Sequence, residues 1–253
     1  MIESHAIPQQ RVIEKLDEYM SRRDYAGAER HLLYWLEEAR LGGDLRGELM
    51  LRNELVGHYR KTGQREKALS NAGAALGLVD RLDMGETLTA GTTCVNAATA
   101  MCAFGEHERA AALFERARKV YESGATAGPR LLGGLYNNMA LNCAAMGRYG
   151  DALTLYDRAV GQMELVEHGA LEVAITCLNM ANCVEVRDGM EAGEARIFEL
   201  VERAVALLDD GALPRDGYYA FVCEKCVPTL EYYGWFDDAR RFREEAERIY
   251  AGA

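Results

Sequence analysis

The chain has 253 residues, with 40 acidic against 29 basic side chains and a net charge of −11. That balance argues against nucleic-acid binding, which needs a concentrated basic face; the nearest approach, Arg60, Lys61, Arg65 and Lys67, reads as a solvated helix end. The start, Met1 to Gln10, carries no apolar run, no stretch reaches the roughly 18 apolar residues of a membrane span, and seven cysteines suit free thiols in a reducing compartment.

Taken in chain order, the elements repeat. Gly63, Gly105, Gly147 and Gly189 stand 42 residues apart, each in a similar setting. An alanine follows five residues after the first three (Ala68, Ala110, Ala152) and a second at twelve (Ala75, Ala117, Ala159). Upstream, Val12, Leu16 and Tyr19 keep helical spacing, and Arg23 takes the glycine position before Tyr25, Ala28 and Trp35. Downstream, Gly234 precedes Phe236, Ala239 and Ala246. The fifth copy is irregular. Asn179-Met180-Ala181 mirrors Asn138-Met139-Ala140, which puts Asp188 rather than Gly189 at the turn and requires about four extra residues between Gly189 and Ala195.

Each copy reads as a helical hairpin. The glycine supplies the positive φ that ends the first helix, and the alanines let the second helix lie close to its neighbours. One hairpin cannot bury its apolar face alone, so the copies are expected to stack. Six units follow, approximately 8–42, 43–84, 85–127, 128–168, 169–213 and 214–253, with Gly42-Gly43, Gly124 to Pro129 and Asp209 to Asp216 as turns between units. The expectation is one all-α domain over residues 1–253, a right-handed superhelical solenoid of about six hairpins. Pro228 is expected to kink or shorten the first helix of the last unit.

Asn137-Asn138-Met139-Ala140, then Cys143, Gly147, Tyr149 and Ala152, resembles the tetratricopeptide repeat. The 42-residue period is most similar to the kinesin-light-chain type, which also occurs in bacterial regulators and peptide-pheromone receptors. The resemblance covers roughly residues 10 to 250. It implies a binding scaffold in which an asparagine ladder contacts peptide backbone, with Asn96, Asn138 and Asn179 at the matching positions.

The residues themselves point the same way. Asparagine is a poor helix former, costing up to roughly 0.7 kcal/mol against alanine, yet it recurs nine and ten residues before the turn. Asn53, Glu54, Asn96, Asn137, Asn138 and Asn179 are expected to face a concave groove, with Asn182 one turn further on. A side-chain amide donates and accepts at once, which suits holding an extended backbone. Asparagines also bridge neighbouring helices, so an architectural role stands beside the binding one. Arg60, Lys61, Glu224, Lys225 and Tyr232 are secondary candidates. With Glu14, Asp17, Glu185 and Glu231 on the same side, acid outnumbers base and a neutral or basic segment is favoured. Tyr232, Tyr233 and Trp235 read as a cap on the last core layer or as a second contact patch, and Gly91, Gly133 and Gly134 as loose helix starts or as openings for a ligand backbone.

No catalytic constellation is found. Cys223 and Cys226 form a CxxC, but both fall on core positions of the repeat and read as packing rather than as zinc or redox ligands. The histidines, His5, His31, His58, His107 and His168, show no metal-ligand spacing, and no phosphate loop, GxSxG or HExxH motif occurs. The expectation is a cytoplasmic, non-enzymatic protein of bacterial type, without cofactor or metal, binding a peptide or protein segment. A peptide-gated regulator acting through a partner protein is one alternative, and an enzyme or metal-binding protein built around Cys223, Cys226 and the irregular fifth copy is the other.

Overall fold

The computed structural model describes residues 6–123 and 127–252. His5 and Gly124 therefore lie outside the described residues. Among those residues there are twelve α-helices and no strand: α1 (Gln9–Ser21), α2 (Tyr25–Leu41), α3 (Leu45–Lys61), α4 (Arg65–Arg81), α5 (Leu88–Ala103), α6 (His107–Ser123), α7 (Pro129–Ala145), α8 (Tyr149–Met163), α9 (Ala170–Asp188), α10 (Met190–Leu208), α11 (Gly217–Tyr232) and α12 (Phe236–Ala251). Consecutive helices pair as hairpins. The chain divides into two compact units, Met1–Thr126 and Ala127–Ala253, with three hairpins in each.

The turns explain the period. Gly63, Gly105, Gly147 and Gly234 have φ of +72°, +79°, +74° and +83°, a region costly for any residue with a Cβ. The residue after each glycine donates its N–H to the carbonyl five residues back: Gln64 to Tyr59 at 2.8 Å, and Glu106 to Met101, Arg148 to Cys143 and Trp235 to Leu230 at 2.9 Å. This is the Schellman closure, which satisfies carbonyls the helix end leaves open. Arg23 holds the same place in the first hairpin with φ +56°, and Asp24 donates to Tyr19 at 2.9 Å.

The repeated alanines are all shut away. Ala28, Ala68, Ala110, Ala152 and Ala239 are 0% exposed. Larger side chains fill the space between helices, with Leu32, Leu51 and Leu55 in the first unit and Tyr156, Leu200, Tyr219, Leu230 and Phe242 in the second. Each fully buried Leu or Phe contributes roughly 1.5–3 kcal/mol, so hairpin stacking rather than helix propensity holds each unit together.

Two sequence expectations need correction here. Asp188 is not the turn residue of the fifth hairpin: it is the last residue of α9, and Gly189 alone, at φ +85° and ψ 160°, reverses the chain. The extra residues are absorbed as helix, so α9 and α10 each reach 19 residues where the other helices have 13 to 17. Gly193 makes the added turn possible, since a Cβ there would lie 3.0 Å from Val184 Cγ1. Nor does Pro228 shorten α11, which runs 16 residues through it. Pro228 lies on the exposed side, and the carbonyl it leaves without a helical partner belongs to Glu224, also exposed.

Candidate functional site

The asparagines are not independent side chains. In the first unit Asn53 Nδ2 donates to Leu49 O at 3.1 Å and to Thr93 Oγ1 at 3.0 Å, and Asn96 Nδ2 donates to Asn53 Oδ1 at 3.2 Å. The second unit repeats the arrangement. Thr176 Oγ1 donates to Asn137 Oδ1 at 3.3 Å, and Asn179 Nδ2 donates to the same oxygen at 3.4 Å. Each cluster ties two neighbouring first helices, α3 to α5 and α7 to α9. The architectural role is therefore real, and Thr93 and Thr176, which the sequence reading does not include, complete it. Thr93 lies twelve residues before Gly105 and Thr176 twelve before Asp188, so the signal was present in the shifted register.

These bonds use only part of each amide. An asparagine offers two donors and two acceptor lone pairs. Asn96 and Asn179 each spend one donor on the ladder, and no acceptor bond to either Oδ1 is formed among the described residues. Asn138 is half-buried and makes no side-chain hydrogen bond among the described residues. Asn53, Asn96, Asn137, Asn138 and Asn179 are all half-buried rather than sealed.

In the first unit the amides line a cleft of about 450 Å³. Its walls are first helices: Arg46, Asn53 and Glu54 on α3, and Thr89, Thr92 and Asn96 on α5, with Gln9 of α1 at one edge. The structure thus gathers Asn53, Glu54 and Asn96 into one concavity. Burial, and then the nearby Asp17 carboxylate, push the Glu54 carboxyl above its ordinary range. Arg46 was not among the sequence candidates. It stands eight residues before Glu54, with Met50 halfway, so helical spacing puts it on the same face.

The other candidates are placed elsewhere. Asn182 joins an aromatic cluster between α9 and the end of α11: Tyr233 donates to Glu185 Oε2 at 2.8 Å with its hydroxyl oxygen 3.0 Å from Asn182 Oδ1, and Tyr232 donates to Glu185 Oε1 at 2.6 Å. Tyr233 and Trp235 pack on the core of the second unit, whereas Tyr232 stays exposed. Glu224 and Lys225 find partners inside the last hairpin. Tyr250 of α12 donates to Glu224 at 3.4 Å, and Lys225 lies 4.8 Å from the Phe221 ring centroid. Glu231 likewise pairs with Arg243 of α12 at 2.6 Å. The basic group at the end of α3 is dispersed: Lys61 lies over the Tyr25 ring, Lys67 pairs with Glu29 at 2.9 Å, Arg65 pairs with Glu106, and Arg60 is exposed. The glycine openings are taken up too. A Cβ on Gly91 would lie 2.4 Å from the Tyr121 ring and one on Gly133 2.9 Å from Met163, so both serve packing.

Cys223 and Cys226 are buried in α11, and burial pushes their thiols up to about 11 and about 12. They are protonated side chains filling the core. No group of three or more His, Cys, Asp or Glu suited to a metal ion occurs among the described residues. No helix among them is long and apolar enough to cross a membrane.

No family model and no curated protein matches the chain. Solved structures do. A putative kinesin light chain from Podosopora anserina with nearly identical TPR-like repeats is 16% identical, with TM-score 0.56 over 81% of this chain and 96% of that one. NprR, solved in complex with its cognate peptide NprX, is 14% identical, with TM-score 0.62 over 96% of this chain and 68% of that one. PilW, a type IV pilus biogenesis factor, is 14% identical, with TM-score 0.60 over 98% and 96%. Together with the twelve paired helices and their repeated turns, these likenesses define an all-α protein of helical hairpins. It has the tetratricopeptide-repeat fold.

Proposed function

We propose that the protein is an interaction scaffold that holds a peptide or an extended protein segment against the first helices of its hairpins. The observation that carries this reading is the incomplete use of the amides. Asn96 and Asn179 are oriented by the ladder and keep carbonyl oxygens unspent, and in the first unit Asn96 borders an open cleft. Fixed amides with spare acceptors and donors suit a peptide backbone, because side chains already held in place lose little further entropy on binding. NprR, of similar fold, is a peptide-bound protein. The partner is a peptide, and the protein acts by binding rather than by catalysis.

Panning a displayed random-peptide library tests this. The wild-type chain is expected to enrich peptides, and the Asn96→Ala, Asn138→Ala, Asn179→Ala triple variant to enrich none while its helical circular dichroism stays unchanged. A triple variant that unfolds, or that captures peptides as well as wild type, would assign the amides to architecture alone.

A further inference from the structure

The cleft of the first unit carries two charges that no side chain answers. Neither Arg46 nor Glu54 forms an ion pair or side-chain hydrogen bond among the described residues. Their surroundings are otherwise well paired: on the same helix Arg52 meets Glu48 at 2.6 Å. Nor can Arg46 and Glu54 readily meet each other. Eight residues of helix separate their Cα atoms by about 12 Å. Asn53, Asn96 and Thr89 line the same cleft with their polar groups. The Asp17 carboxylate stands near enough to Glu54 to push its carboxyl upward.

We propose that this cleft takes a short zwitterionic segment of about three to five residues, its anionic group on Arg46, its cationic group on Glu54 and its backbone along Asn53 and Asn96. The length follows from chain reach. An extended chain spans at most about 3.3–3.6 Å per residue, so about four residues cover the distance between the two charges. The inference rests on the peptide-binding reading above and refines it. A net preference for basic segments gives way to a demand for one charge of each sign at a set spacing. Charges opposed in this way also fix the direction in which the segment lies, which uncharged amides cannot do. Desolvation of Glu54 adds to the case, because a cation beside it would restore the ionised form that burial disfavours.

Amide-resolved NMR titration at millimolar ligand tests the proposal with defined probes. These are tetra-alanine with free termini, its N-acetylated, C-amidated and doubly blocked forms, and doubly blocked Asp-Ser-Ser-Lys. Free tetra-alanine or the blocked Asp-Ser-Ser-Lys peptide is expected to shift resonances of α3 and α5. Binding of the first assigns the charges to chain termini and binding of the second to side chains. Each single block on the terminus that matters should weaken binding about fivefold. Glu54→Gln should remove the penalty of acetylation and leave that of amidation. Arg46→Gln should do the converse, and melting of both variants at or above the wild-type temperature keeps the comparison valid. Equal binding of free and doubly blocked tetra-alanine, with the Asp-Ser-Ser-Lys peptide no better, would overturn the charge assignment and leave the peptide reading standing. No shift in α3 or α5 with any probe would overturn both.

Discussion

Asn96 donates its side-chain amide to the Asn53 carbonyl oxygen at 3.2 Å, and Asn179 does the same to Asn137 at 3.4 Å. The two pairs occupy equivalent places in separate units of the chain, and in each the earlier asparagine also meets a threonine of the next first helix. Asn53 is the hub of its cluster, with three bonds to Leu49, Thr93 and Asn96. Asn53→Ala is expected to destabilise the protein by about 1–2 kcal/mol, since it removes a partner from the buried Thr93 and from the half-buried Asn96 of α5. Asn96→Ala removes one bond and gains up to roughly 0.7 kcal/mol of helix propensity, so its net cost is smaller. A double-mutant cycle by urea unfolding should give a coupling of about 0.5–1 kcal/mol. Additive single effects would mean that the two amides do not act together.

Glu54 makes stability depend on pH. Its carboxyl is raised from the ordinary 4.5, by burial first and by Asp17 second. A raised carboxyl favours the folded state while protonated, so its contribution is complete below about pH 4.5. That contribution is lost as pH rises through the folded-state value. Glu54→Gln should therefore melt at the same temperature as wild type near pH 4 and above it at pH 7. Asp17→Asn should reduce the gap, because it removes the second cause. Thermal melts across that range check both, and a Glu54→Gln variant less stable at pH 7 would mean that the carboxylate has a partner in the folded chain.

Much of this is legible in the sequence. Gly63, Gly105 and Gly147 announce their turns because only a residue without a Cβ takes positive φ cheaply, and Ala68, Ala110 and Ala152 announce close helix packing because nothing larger fits. What the period could not give was side-chain direction. It placed Asn53 and Asn96 on one face and could not tell an amide turned to open space from one turned to the next helix; both bond across to a neighbouring helix and both line the cleft. Arg46 does not stand out in the sequence because it lies about two helical turns before the repeated positions nine and ten ahead of the turn, on the same stripe. The chain turns at Gly189 and not at Asp188 for another reason. Aligning Asn179 with Asn138 is right for α9, but the four added residues propagate helix instead of looping out, and glycine, not register, decides where the chain reverses.

Left-handed residues that are not glycine offer a stabilising change. His168 sits at φ +59° between α8 and α9, whereas Gly147 holds φ +74° inside its hairpin. A non-glycine residue in this region pays about 1–2 kcal/mol, offset by roughly 0.5–1 kcal/mol of added unfolded-state entropy when glycine replaces it. His168→Gly should therefore raise stability by up to about 1 kcal/mol. Gly147→Val should lower it by more than 1 kcal/mol, because β-branching worsens the clash. Chemical denaturation of the two variants checks the signs, and a neutral Gly147→Val would mean that the turn tolerates another conformation.

Gly91 and Gly134 are both helical glycines, and they should respond oppositely to the same substitution. At Gly91 a Cβ would meet the Tyr121 ring at 2.4 Å, and that ring is buried with its hydroxyl held by Thr92 at 2.9 Å. It has little room to withdraw. Gly91→Ala is expected to cost about 1–3 kcal/mol as overpacking. At Gly134 nothing lies within 4 Å of the added carbon. Gly134→Ala should gain roughly 0.5–1 kcal/mol from reduced backbone freedom in the unfolded chain. The pair separates packing from ligand access, because Gly91→Ala in a Tyr121→Leu background should recover part of the loss if the ring is the obstacle. Equal destabilisation in both backgrounds would show that the cost arises in the α5 backbone and not at Tyr121.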